Sequence, residues 1–221
     1  RYVLHDDIWM YGSLGLVQRE PTRFDYLLDD RALVDVKQSD IKPEALTNIE
    51  AGVVVQKNKL SWTGNVFYMR FRNEIIATGQ LNAFGYNIRR NGGPSTRYGL
   101  ENTLVYAPTS NLKLNFTSTW MQARIDAFTQ TYFISNPEGI LLTDSDGNFI
   151  SETIELRNMR PILTPEIYLQ SGVQYAFWNK IETEVMMRHI GKSYLSTHNL
   201  EENILPAYSV LDFRLGIEVA D

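Results

Sequence analysis

Thr47-Asn48-Ile49-Glu50-Ala51-Gly52-Val53-Val54-Val55-Gln56 decides the fold class: its odd positions Ile49, Ala51, Val53 and Val55 are apolar, and Asn48, Glu50, Gly52 and Gln56 between them are polar or small. Successive side chains of a strand point to opposite faces, so a period of two marks a strand with one apolar and one polar face. Working outward, Leu60, Trp62, Val66 and Tyr68 alternate with Ser61, Thr63 and Asn65, and Tyr98, Leu100, Leu104 and Tyr106 alternate with Arg97, Gly99, Glu101 and Thr103. Leu112, Leu114, Phe116 and Trp120 oppose Lys113, Asn115, Thr117 and Thr119, and Ile167, Leu169, Val173, Tyr175 and Phe177 oppose Glu166, Gln170, Gly172 and Gln174. Ile181, Val185 and Met187 face away from Glu182, Glu184 and Arg188, and Leu211, Phe213, Leu215, Ile217 and Val219 face away from Asp212, Arg214 and Glu218. An earlier strand, about residues 8–17, contains glycines and its facing is ambiguous. About eight strands of roughly ten or more residues are expected, longer than the five or six usual in soluble sheets and long enough for a tilted strand to cross a membrane.

The connections alternate between long and short. Residues 18–46, 81–93, 124–164 and 195–205 read as long or medium loops, and the turns at Lys57-Asn58, Pro108-Ser110 and Trp178-Asn179 are tight. In an up-and-down barrel alternate connections share a rim, so this parity gathers the short turns at one end and the long loops at the other. A Greek-key sandwich has no reason to keep it. Val53, Leu100, Phe116 and Val173 are expected to face lipid. Tyr68, Tyr98, Tyr106, Trp120, Tyr175, Phe177 and Trp178 sit toward the ends of the apolar rows, where amphipathic rings meet headgroups.

The 221-residue composition narrows the function. Twenty-one basic and 26 acidic residues give a net charge of -5, no footprint for nucleic acid. With no cysteine there is no disulfide, thiolate zinc site or thiol nucleophile. Mean hydropathy is -0.26, and no apolar run approaches the roughly 18 residues of a spanning helix, which leaves a membrane β-barrel open. His5, His189 and His198 lack metal-ligand spacing, and no nucleophile elbow or phosphate loop is visible. Asp144-Ser145-Asp146-Gly147-Asn148 lacks the ligand spacing of a calcium loop and reads as a hairpin turn. Asn115-Phe116-Thr117 matches a glycosylation sequon but lies inside a strand. Glu182 and Glu184 share a strand face about 7 Å apart and read as a polar lumen row, not an acid–base pair. No catalytic residue, metal site or cofactor is expected.

Several motifs in order resemble the C-terminal barrel of TonB-dependent outer-membrane receptors, especially the iron and siderophore branch common in Bacteroidetes-like bacteria. They are Arg19-Glu20-Pro21-Thr22-Arg23 with Asp25-Tyr26, Lys42-Pro43-Glu44 with Asn48-Ile49-Glu50-Ala51-Gly52, and Thr78-Gly79-Gln80-Leu81-Asn82 with Gly85 and Ser95-Thr96-Arg97-Tyr98-Gly99-Leu100-Glu101. Arg188-His189-Ile190-Gly191 and Leu205-Pro206-Ala207-Tyr208-Ser209-Val210-Leu211-Asp212 follow. The resemblance implies an all-β, antiparallel, transmembrane barrel segment, an incomplete part of a barrel of about 22 strands. The chain opens Arg1-Tyr2-Val3-Leu4 and stops at Asp221, so residues 1–221 are expected to be one partial barrel domain, with the plug, the early strands and about two final strands outside it. An independent small barrel of about eight strands is the alternative topology.

The implied protein is a bacterial outer-membrane transporter, not an enzyme, taking up a scarce solute: a ferric siderophore first, with haem, cobalamin or a glycan sharing the scaffold. Its implied partners are that solute, outer-membrane lipid and the TonB complex, the last reached through an N-terminal region outside this chain. A soluble all-β binding module and a passive porin are the competing readings. Ligand-binding candidates are the loop arginines Arg89 and Arg90 beside Gly92-Gly93, and Tyr132, Phe133, Asn136, Arg157 and Arg160 around the Asp146-Gly147 turn.

Overall fold

A computed structural model of the chain describes residues 1–26, 41–81, 86–147, 150–177 and 181–218. In chain order the strands are β1 (Tyr2–His5), β2 (Ile8–Arg19), β3 (Glu44–Lys57), β4 (Leu60–Arg72), β5 (Ile75–Leu81), β6 (Asn87–Asn91) and β7 (Ser95–Tyr106). Then come β8 (Leu112–Phe133), β9 (Ser151–Met159), β10 (Ile167–Phe177), β11 (Ile181–Ile190), β12 (Ser193–Tyr194), β13 (Ile204–Leu205) and β14 (Tyr208–Ile217). The main sheet runs β1-β2-β3-β4-β7-β8-β10-β11-β14, and β9 pairs with the far half of β8. Its pairings are antiparallel, and the path among the described residues is open, ending at β1 and β14. The expected long strands are β2, β3, β4, β7, β8, β10, β11 and β14, each ten residues or more. β1, which the periodicity missed, adds a short hairpin at the edge, with Tyr2 opposite Met10.

The register fixes two faces. Gly12, Ala51, Val66, Leu100, Trp120 and Ile167 lie in one cross-strand row, and Tyr11, Gly52, Asn65, Glu101, Thr119 and Tyr168 lie in the next row on the opposite face. Val53, Phe116 and Val173 share the face of Leu100, as expected from the alternation. Among the described residues nothing covers this apolar face: Leu16 is 76% exposed, Leu211 71% and Phe213 68%. An ordinary soluble sheet would bury such a surface, whereas a bilayer receives it. On the polar face close packing demands glycine. A Cβ on Gly99 would sit 2.9 Å from the Phe67 ring and against the backbone carbonyl of Trp120. The Tyr11 ring covers Gly52, where a Cβ would come within 2.5 Å of it.

One rim carries the short connections. β3 ends at Lys57 and turns through Asn58-Lys59 into Leu60, β7 ends at Tyr106 six residues before β8 starts at Leu112, and Phe177 pairs with Ile181, the expected Trp178-Asn179 turn lying outside the described residues. Ile217 pairs with Ile181 and Ile8 with Val55, so both ends of the main wall reach this rim.

At the opposite rim several expected loop bounds need correction. Residues 124–164, expected as a long loop with a hairpin turn at Asp146-Gly147, are mostly strand: β8 continues to Phe133, and β9 runs back beside it from Ser151 to Met159. The alternation fails there for a physical reason. Ile125 opposes Met159, Ala127 opposes Arg157 and Phe128 opposes Leu156 in one continuous register, yet Ile125 and Phe128, three apart and so of opposite parity, both bury in one cluster with Met159, so the stretch is covered on both sides. Within the 81–93 loop, β6 returns against β5 to form a hairpin. The 195–205 loop includes a 3-10 turn, Glu201–Asn203, and the β12–β13 ladder. In the 18–46 loop β2 runs to Arg19 and β3 starts at Glu44, and residues 27–40 lie outside the described part.

Candidate functional site

The polar face is a wall of small hydrogen-bonded groups. Tyr11 donates its hydroxyl to Asn65 Oδ1 at 3.1 Å, and Asn65 Nδ2 donates to Glu101 at 3.3 Å. Farther round, Gln174 Nε2 and Arg214 both reach Glu184, at 2.8 and 3.0 Å, and Arg188 pairs with Asp212 at 2.7 Å. These charges sit where only water or a polar filling holds them, and as part-exposed pairs they add little stability. The Glu182 and Glu184 row is part of this wall, with Glu184 held by Gln174 and Arg214.

Above the wall the external segments form one packed assembly. Ile125, Phe128 and Met159 make its core, with Ile76 of the β5–β6 hairpin and Leu156 of β9 against them. Gln130, 3% exposed, holds three segments together: its Nε2 donates to the Thr78 carbonyl of β5, and its Oε1 accepts from Thr197 of the 191–207 connection at 2.9 Å. Thr78 in turn donates its hydroxyl to the Ile88 carbonyl of β6 at 3.0 Å. A second lock brings in the first external segment. Asp25, fully buried, accepts from the backbone N–H of Thr22 at 2.7 Å and its hydroxyl at 2.8 Å, and pairs with Arg89 of β6 at 3.0 Å and Arg19 at 3.4 Å. Burial pushes the Asp25 carboxyl up, but the Thr22 donors and Arg89 outweigh it and hold it below the ordinary carboxylate value. Glu44 bonds Arg19 and accepts from the Ile75 N–H at 2.9 Å, while buried Glu74 takes Ser95 and Arg97.

The expected ligand-binding residues divide by environment. Arg89 is committed to Asp25, and Arg160 to Glu166 at 2.6 Å with its guanidinium over Tyr194. Asn136 caps the Ile140 N–H at 2.8 Å and so shapes the tip. Arg90 is exposed, and Arg157 is exposed beside Glu155. Tyr132 and Phe133 pair by backbone with Glu152 and Ser151 near the far end of the β8–β9 ladder. The Asp144–Gly147 stretch is a turn, with the Gly147 N–H donating to the Asp144 carbonyl at 3.1 Å and Gly147 at φ 84°. Asp25, Gln130 and Glu74 were missed. Asp25 and Gln130 stood in segments read as loop, with Asp25 also in the Arg19–Tyr26 motif, and Glu74 fell between the expected strand ending near Tyr68 and the 81–93 loop, with no signal of its own.

The sequence matches the family model described as TonB dependent receptor-like, beta-barrel, over residues 1–221. This chain belongs to that family. It is wall of an outer-membrane TonB-dependent receptor barrel, a family of transporters and not of enzymes, and the soluble reading falls with that assignment. Solved structures share the fold. The copper transporter OprC superposes with a TM-score of 0.67 at 14% identity, covering 98% of this chain and 30% of that one. The siderophore receptor PiuA from Acinetobacter baumannii gives 0.66 at 14% identity, with 98% and 28% covered. The ferric-catecholate import receptor Fiu from E. coli K12 gives 0.63 at 19% identity, with 99% and 28% covered. The chain thus spans about 30% of the length of such receptors. Among curated protein sequences nothing matches.

Proposed function

We propose that the receptor containing this wall carries out energy-coupled uptake of a ferric siderophore, binding it at the external rim and releasing it inward through the TonB complex. The observation that carries the reading is the assembly above the wall: three external segments tied through Gln130 and a fourth through Asp25, all on the rim opposite the short turns. A rigid platform of this kind holds contact groups in place at low entropic cost when a solute arrives. Fiu, PiuA and the ferric yersiniabactin receptor FyuA are iron-chelate receptors of the same fold, which supports the substrate class.

Within the platform, Arg89 and Arg160 act as positioning residues. The contacts to an anionic chelate are assigned to exposed Arg90 and Arg157 and to the β8–β9 tip bearing Tyr132, Phe133 and Asn136. The test replaces residues 135–150 with a short Gly-Ser linker, leaving the β8–β9 ladder intact, and separately makes Arg90→Ala with Arg157→Ala. Chelate affinity is then measured on cells with matched surface expression. Weakened binding in both is expected; unchanged affinity in both removes this rim from the binding site.

A further inference from the structure

The outward face carries a dent with a polar floor that solute uptake does not use. Met10, Val53, Gly64, Asn102, Ser118 and Leu169 form one cross-strand row on the face of Leu100. Around Gly64 and Asn102 the surface opens into a pocket of about 370 Å³, walled by Met10, Val53, Trp62, Val66 and Leu100. Its floor holds a polar group. Asn102 lies four residues from Tyr98 and four from Tyr106, midway between the two rings that mark the headgroup levels, so its amide stands near the bilayer centre.

That amide is half satisfied. Its Nδ2 donates to Ser118 Oγ at 3.4 Å, and among the described residues nothing donates to its Oδ1. Gly64 keeps the oxygen open: a Cβ there would sit 3.5 Å from Asn102 Oδ1 and 2.6 Å from the Trp62 ring, so a larger residue would fill the space in front of the amide. In the neighbouring row Gly12 and Ala51 are also small. In hydrocarbon neither water nor an acyl chain supplies the missing donor, and an unpaired amide there costs free energy. A primary amide with one N–H already used offers one donor and one acceptor, a set that a second such amide completes.

We propose that this dent is the centre of a two-fold contact between two copies of the receptor in the membrane, with the two Asn102 amides exchanging N–H to Oδ1 bonds. Depth favours a second copy as the occupant. Two copies inserted in the same direction are related by an axis along the membrane normal, so each residue meets its copy at its own depth, and an amide at the midplane finds its match there. Chemistry agrees, because the amide is self-complementary. Gly64 and Ala51 let two walls approach closely, as small residues and polar amides do between membrane helices, and Met10, Val53, Val66 and Leu100 supply a dry rim. The contact rests on the outward facing of these rows and is independent of which solute the receptor carries.

The test is the monomer–dimer equilibrium of the full-length receptor in vesicles of outer-membrane lipid extract, read by single-molecule photobleaching of a dye on an external loop over a range of protein-to-lipid ratios. The wild type should dimerise. Asn102→Leu should weaken association by about 10- to 30-fold, the product of two amide bonds each worth about three- to fivefold in a bilayer. Folding of that variant is not at risk, since it takes a polar group out of hydrocarbon. Ala51→Trp should weaken association at least as much by holding the walls apart, while Val185→Ala, on the same face three strands round the wall, should leave it unchanged. Heat-modifiable mobility checks that each variant is folded. A wild type that stays monomeric at every ratio overturns the proposal. So does a dimer that Asn102→Leu leaves unchanged, which would meet through another face or by packing alone. A different protein that co-purifies with a monomeric receptor and is lost in Asn102→Leu would also overturn it, as the occupant would then not be a second copy.

Discussion

An arginine walked down the outward face of β7 should meet a rising penalty, and one placed on its inward face should not. Tyr98 and Tyr106 lie eight residues apart on one face, about 27 Å along the strand and about 20 Å across the membrane at a tilt near 40°. Tyr98 therefore marks the outer edge of the apolar band, Leu100 lies about 5 Å inside it and Asn102 near its middle. A basic residue costs about 0–1 kcal/mol at the interface and about 2–4 kcal/mol at the midplane. Tyr98→Arg should then cost about 0–1 kcal/mol, Leu100→Arg about 1–2 and Asn102→Arg about 2–4. Leu100 is 47% exposed between Val66 and Trp120, so lipid contact governs its penalty more than packing. Asn102 also loses its 3.4 Å bond to Ser118, worth at most about 1 kcal/mol. Glu101→Arg, turned to the lumen, loses only the 3.3 Å bond from Asn65 and should stay within about 1 kcal/mol of wild type. The assay is a urea titration of the full-length receptor folded into vesicles, read by heat-modifiable mobility. A penalty flat along Tyr98, Leu100 and Asn102, or as large at Glu101 as at Asn102, would refute the two-faced wall.

Gly99→Ala should block assembly, because its Cβ meets the Trp120 backbone carbonyl, whereas Gly172→Ala should be mild, since the group 2.5 Å from its Cβ is the Asn115 side chain, which can swing away; folded yield in the outer membrane compares them. The Asp25 carboxyl has a depressed pKa in the folded state, so its contribution is complete above the unfolded value near 3.8 and is lost as pH falls through the lower folded value. Protease resistance of the 19–26 segment should accordingly hold from pH 7 to about 4.5 and fall only in stronger acid. In Asp25→Asn it should be lower throughout, by about 1–3 kcal/mol, without that acid step.

The wall was legible because a strand with lipid on one side and water on the other must alternate, and runs such as Asn48 to Gln56 do so with Val54 as the one exception. Loop parity carried the topology for a similar reason, since up-and-down strands return to the same rim. The external assembly was not legible. Past Asp126 burial is no longer confined to one face, since Ile125, Phe128 and Gln130 are all buried, so the strand from Ile125 to Phe133 loses the period that would announce it. Its partners are also remote in sequence: Arg89 meets Asp25 across 64 positions and Gln130 meets Thr197 across 67. The Arg19–Tyr26 and Lys42–Glu44 motifs were recognisable as a pattern, and the structure supplies their physical reason in the network joining Arg19, Thr22, Asp25 and Glu44. Arg89 and Arg160 show the limit on the site side. A loop arginine beside glycines looks available until the buried carboxylate that claims it is located.

Uptake of a radioiron-labelled ferric siderophore by cells carrying the full-length receptor, with the TonB complex intact or deleted and with the proton-motive force present or collapsed, tests the functional claim most directly. The account predicts binding at the surface in all conditions and accumulation inside only when both TonB and the proton-motive force are present. Accumulation that continues without them, proportional to external concentration, would mean a passive pore and contradict it.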